Sequence, residues 1–216
     1  MWTTPQGTDL NVRLRLVQLL AALEQAGGTP ISNRDLHAFA YLANVLSPIW
    51  DVEPLEGSVL KDRDGPRSSA LEREIDLCVG EGLITVVKLV QDLGNPNKLD
   101  AWFRLSPATV EPVLRAIEQL PDEVEVRGFL TELAFAFVEI RADRRDDAAL
   151  ADAAWSDPAI AEGRIIDFAE FVESARNNPA YNAAQAFQRF APAGVTLNRA
   201  EKLVMYMRLL KRRANG

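Results

Sequence analysis

The chain of 216 residues has one cysteine, Cys78. A single thiol closes no intramolecular disulfide and furnishes no cysteine-rich zinc site. Histidine is equally scarce, with His37 the only one. Long apolar runs are absent: stretches such as Leu133-Ala134-Phe135-Ala136-Phe137-Val138 are far too short to span a bilayer. Met1-Trp2-Thr3-Thr4-Pro5 lacks the basic start and apolar run of a signal peptide. These absences predict a cytoplasmic protein with no membrane contact. Phosphate loops are missing as well. Gly94-Asn95-Pro96-Asn97 and Asp64-Gly65-Pro66-Arg67 have neither the glycine spacing nor the lysine of a Walker motif. We expect no cofactor, no metal and no small-molecule substrate.

What is present is an ordinary globular composition, 48% hydrophobic and 25% charged, enough for one good-sized core or two small ones. The net charge of −7 is unevenly spread. Residues 1–110 carry 10 basic and 14 acidic groups, residues 111–173 carry 6 and 16, and residues 174–216 carry 8 and 1. An acidic middle and a basic end either pack together or meet differently charged partners. Overall acidity counts against a nonspecific DNA binder, which needs clustered Lys and Arg to neutralise phosphates.

In chain order, Thr8 or Asp9 caps a first helix reaching about Ala26, with Val12, Leu16, Leu19, Leu20 and Leu23 on one face. Gly27-Gly28 ends it. Ser32-Asn33-Arg34-Asp35 approaches a capping box and opens a second helix that Pro48 is expected to stop. Residues 47–65 have no periodicity beyond a short strand at Ser58–Lys61. Pro66 suits the first turn of a third helix, whose stripe is Leu71, Ile75, Cys78 and Val79 and whose stop is Gly82. The β-branched run Ile84–Val90 and the alternating Leu99–Leu105, where Leu99, Ala101, Phe103 and Leu105 share the inner face, predict a hairpin with a loop around Gly94–Asn97. Helix, turn, helix and hairpin wing outline a winged-helix unit over 8–105. Beyond it, helices are expected over 107–120, 124–142, 147–155, 158–176, 179–190 and 198–213, making 106–216 a helical subdomain. The fold class is mainly α with a small β-hairpin wing.

No constellation reads as catalytic. A Ser-His-Asp site built on His37 would need a strained nucleophile turn and an oxyanion hole, and neither is signalled. A capping-turn or partly buried histidine fits better. Glu72/Asp76 and Asp143/Asp147 lie one helical turn apart, as do many carboxylates on solvated faces. Cys78 falls in a helical core stripe with no second cysteine near it. As a DNA reader, the third helix offers Arg67, Ser68, Ser69 and Arg73, with Lys61 and Arg63 beside them. Glu72, Glu74 and Asp76 on that helix would repel phosphates, and the wing mixes Lys88, Lys98 and Arg104 with Asp92 and Asp100. A protein-contact winged helix fits these residues better. The basic end, Arg208, Lys211, Arg212 and Arg213, either complements its own helix C-terminus or docks an acidic partner or nucleic acid.

Three segments carry a resemblance: Ile31–Asn44, Leu60–Arg67, and Leu71–Asp76 with Gly82-Leu83-Ile84. Over roughly residues 10–105 the chain resembles the middle component of bacterial ABC-three-component defence systems, the Lamassu type among them. The resemblance implies a non-enzymatic subunit that binds an SMC-like ATPase and bridges or restrains an effector, often a nuclease. DNA contact would then arise only within the complex. By the shared segments, Lys61, Arg63, Asp64, Gly65, Pro66, Arg67 and Arg73 become a partner-contact surface, with Arg208, Lys211, Arg212 and Arg213 as a second candidate. The competing expectations are a winged-helix transcription regulator, which predicts salt-sensitive duplex binding, and an antitoxin, which predicts a small toxic protein as partner.

Overall fold

The computed structural model describes residues 7–63, 65–91 and 99–215. In chain order these form α1 (Gly7–Gln25), β1 (Ile31–Ser32), α2 (Asn33–Trp50), β2 (Ser58–Leu60), α3 (Ser69–Gly80), β3 (Ile84–Gln91) and β4 (Leu99–Leu105). There follow α4 (Pro107–Glu118), α5 (Glu123–Val138), α6 (Arg145–Leu150), β5 (Ile165–Asp167), α7 (Ala169–Glu173), α8 (Pro179–Ala186) and α9 (Arg199–Ala214). The protein is mainly helical with small antiparallel sheets. The wing loop expected around Gly94–Asn97, and Asp64, lie outside the described residues.

Helix α2 is buried almost all round, because its sequence is apolar on every face. Ser32 caps its start, the Ser32 hydroxyl accepting the Asp35 N–H at 3.1 Å. Pro48 does not stop it. A proline inside a helix leaves the carbonyl one turn back without a donor. Here the Ser47 hydroxyl donates to the Asn44 carbonyl at 3.0 Å, and the helix runs on to Trp50 before Asp51 turns left-handed. Around α2 pack α5, α6, α8 and α9, while α1 packs against α5 and α3. Leu16, Leu20, Phe39, Leu42, Phe129, Phe137, Phe168 and Leu203 belong to one apolar core that draws on both 8–105 and 106–216.

Two antiparallel sheets flank this core. In the larger, of order β1-β4-β3, Ile31 faces Phe103 across β1 and β4, and a bulge at Val87 shifts the β3–β4 register. Phe103 and Leu105 are buried at the base of the hairpin, but Leu99, expected inside, is 64% exposed. The ribbon outruns the core. In the smaller sheet, β2 pairs with β5, Val59 opposite Ile166.

That pairing corrects the helix expected over 158–176. Gly163 takes φ +78°, Ile165 and Ile166 extend against β2, and only Ala169–Glu173 is α-helical. The helix expected over 147–155 is Arg145–Leu150 instead. The Asp152 carboxylate accepts the N–H groups of Ala154 and Trp155 at 2.9 and 3.2 Å, offering the backbone a turn in place of the next helical bonds. Helix α5 ends at Val138 rather than 142, and a single 3₁₀ turn spans 142–144. Pro66 lies outside α3, which starts at Ser69 with Ser68 as cap, its hydroxyl accepting the Leu71 N–H at 3.1 Å. No helix among the described residues is long and apolar enough to cross a membrane.

Candidate partner-contact surface

The stretch 61–67 is stitched to the rest of the chain as much as it is presented. Lys61 Nζ donates to the carbonyls of Asp157 and Ile160 at 3.0 and 2.7 Å, and its backbone bonds Gly163 and Arg164. Lys61 therefore holds the 157–164 loop. Arg63 reaches the same loop at Glu162, 2.5 Å, while 84% exposed. Gly65, at φ +100°, and Pro66 are buried, with Leu150 of α6 closest to the bare face of Gly65. A left-handed glycine is needed to turn the chain here. Arg67 makes a lone β-bridge with Leu60 and sits 3.8 Å from Glu72.

Behind this turn lies a polar pocket between α2 and the start of α3. His37 is buried, its Nδ1 accepting the Ser68 backbone N–H at 3.3 Å. Burial first, and the Arg67 charge second, lower its pKa to about 4, so the ring is neutral near pH 7. The Ser68 hydroxyl donates to Glu56, and burial raises that carboxyl above its usual range. The serine oxygen is thus committed to Glu56 and the Leu71 amide, not to the imidazole, and no nucleophile–base pair forms. Asn44 accepts the Leu55 and Glu56 amides at 2.7 and 3.2 Å, holding the connector that brings Glu56 there. One step deeper, Tyr41 and Tyr206 each donate to Asp152 at 2.7 Å inside the core, where burial raises the carboxyl.

The outer face of α3 differs in one respect from expectation. Glu74 is buried and turned toward α1, where Arg13 bonds it at 2.9 Å and also reaches Glu81. Burial pushes the Cys78 thiol up to about 11, fitting a small core residue. Outward remain Glu72, Arg73, Asp76 and Leu77. Arg73 lies 3.7 Å from Glu74. On the hairpin, Leu89 pairs with Ala101 and Gln91 with Leu99. Strand alternation places these four on the face that Phe103 and Leu105 bury further down. Leu89 is 61% exposed at that end, and Lys88 covers the Trp102 ring at 4.6 Å.

The basic end is split. Lys211 faces Glu139 at 3.4 Å, and Arg213 donates to the Ala151 carbonyl at 3.1 Å, while Arg208 and Arg212 point outward. Gly65 and Arg213 thus adjoin the same end of α6, through Leu150 and Ala151. Asp143 and Asp147, one turn apart in sequence, are each taken by an arginine, Arg141 and Arg144. No group of three or more metal-ligating side chains gathers among the described residues.

The polar pocket and the β2–β5 pair escaped sequence reasoning. Glu56 and Ser68 stand twelve residues apart across an aperiodic connector, and Ser58–Leu60 meets its partner strand about a hundred residues later. The one local hint was the Ser68-Ser69 pair ahead of the Leu71 stripe, a capping signal overshadowed by Pro66. Comparison with protein-family models, with curated proteins and with solved structures finds no match to this chain.

Proposed function

We propose that the chain is a non-catalytic winged-helix adaptor of a bacterial three-component defence complex, docking an SMC-like ATPase and bridging or restraining its effector. One observation carries the protein-contact reading. The cations that would read DNA from α3 are opposed by the chain's own carboxylates, Arg67 by Glu72 and Arg73 by Glu74. A duplex docked there would also bring its phosphates against the outward Glu72 and Asp76. The order helix, strand, helix, helix and hairpin, with the short β2 inserted between the second and third helices and sheet order β1-β4-β3, supports the winged-helix assignment. The apolar end of the hairpin supports a protein partner, since exposed Leu89 and Leu99 have nothing to offer phosphates.

The test is co-purification of a tagged copy with the products of the adjacent genes, washed at high salt. Retention of a large ATPase is the expected result. Recovery of the chain alone, with tight duplex binding, overturns the adaptor and promotes the regulator. Recovery of a small toxic protein instead promotes the antitoxin.

A further inference from the structure

We propose that the mouth of the cleft between α2 and the start of α3 is a carboxylate-binding site for a single Asp or Glu side chain of a protein partner, loosely filled by the chain's own Glu72. The site deepens the adaptor reading and rests on it for the partner's being a protein.

The first observation is an unsatisfied donor. With Nδ1 accepting the Ser68 amide, neutral His37 carries its ring proton on Nε2. That nitrogen is buried, with the side chain only 4% exposed, and has no hydrogen-bond partner. A buried N–H left unmet is costly, and such groups in native proteins call for an explanation. The nearest acid is Glu72, whose Oε1 stands 3.8 Å from His37 Nε2. The same oxygen stands 3.8 Å from Arg67 Nη1. One carboxylate oxygen therefore lies between an imidazole N–H and a guanidinium, too far to bond either.

The surroundings favour an anion at that point. The site opens on the N-terminus of α3, twelve residues long, whose dipole favours negative charge. Asn33, one turn before His37 on α2, lines the adjoining cleft, and its amide oxygen is also buried and unpartnered. A half-turn of that amide presents Nδ2 to a carboxylate. Arg34, also lining the cleft, is already held by Asp146 and is not needed.

A single carboxylate fits better than a nucleic-acid phosphate. Asp76, one turn beyond Glu72, is exposed, and Asp146 lies on the far wall. A polyanion would bring several charges against these, whereas an Asp or Glu side chain brings one. The Glu72 side chain is 45% exposed and makes no close bond to either group, so an incoming carboxylate can take its place through a side-chain rotation alone.

His37 is the only histidine, so its ring nitrogens give unambiguous NMR signals in the isolated full chain. The probe is a short blocked peptide with one glutamate, its glutamine counterpart and inorganic phosphate serving as comparisons. The glutamate peptide should shift the His37 Nε2 resonance saturably, and the glutamine peptide should not. Glu72→Gln should tighten binding several-fold. Asp76→Asn, the same charge change one turn away, should not match it. Arg67→Gln should weaken binding about tenfold, the loss of one charge-assisted hydrogen bond. A silent His37 in the Glu72→Gln variant overturns the site, as does an equal response to phosphate or to the glutamine peptide. Failure here is separable from failure of the adaptor. Capture of the ATPase that survives Arg67→Gln removes the site alone, while peptide binding without capture removes the adaptor alone.

Discussion

Helix α2 and the β3–β4 hairpin stand on the same small sheet and treat apolar residues in opposite ways. Along α2 nearly every side chain is sealed, and polar groups deep in the core are answered, Tyr41 by Asp152 and Asn44 by two backbone amides, while His37 Nε2 and the Asn33 amide oxygen near its start are not. Along the hairpin the buried face runs out past the core, leaving Leu89 and Leu99 in solvent. Leucines carried outward past the core add nothing to the burial that stabilises the fold. On the proposed adaptor reading, α2 would hold the fold while the hairpin end would meet a partner.

The largest way to break this contrast is Asp152→Ala. It strips two buried tyrosine hydroxyls and two backbone amides of their acceptor. The expected loss is about 4 kcal/mol, or roughly 10 °C in Tm for a chain of this size, read by thermal and denaturant melts.

Next comes pH, through two groups on α2 that pull oppositely. Burial raises Asp35 to about 6, so the folded state binds its proton more tightly than the unfolded chain does. Stability from that group is present below about pH 4 and is lost as pH rises toward 6. His37, lowered to about 4, does the reverse: the unfolded chain binds its proton between about 4 and 6.5, and stability grows as pH rises through that window. Relative to wild type, Asp35→Asn should therefore gain about 2 kcal/mol between pH 4 and pH 6, while His37→Gln should lose a comparable amount over the same range. Denaturant melts at several pH values check both signs.

A smaller effect tests the rescue of Pro48. Ser47→Ala removes the hydroxyl that serves the Asn44 carbonyl and should cost about 1 kcal/mol. The smallest effect on stability belongs to the hairpin. Leu89→Ser and Leu99→Ser should stay within about 0.5 kcal/mol of wild type, as surface changes do. Capture of the ATPase, by contrast, should weaken, which sharpens the division between holding and meeting.

Much of α2 and the hairpin was legible because its signals are local. Ser32 three residues before Asp35 and Gly82 after a helical stripe each act within one turn of chain, and each sits where its chemistry requires. What could not be read depends on distant partners. Ile165 and Ile166 look helical until Val59 and Leu60 supply the strand they pair with. Asp152 breaks its helix because Tyr41 and Tyr206 hold its carboxylate where it can also take two amides. Glu74 reads as an outer acid until Arg13 of α1 is seen to draw it in. Of the surface residues, Lys61 shows the limit most clearly: the resemblance implied a partner contact, and its ammonium holds two carbonyls of its own chain.

The central claim, that the α3 and hairpin surface meets protein rather than duplex, is tested most directly by titrating the purified chain into a fluorescent DNA duplex at about 50 mM salt and following anisotropy. The account predicts no binding tighter than ordinary nonspecific contact, a Kd weaker than roughly 10⁻⁶ M. Submicromolar binding that falls steeply with added salt, and that Arg67→Gln or Arg73→Gln weakens, would contradict it.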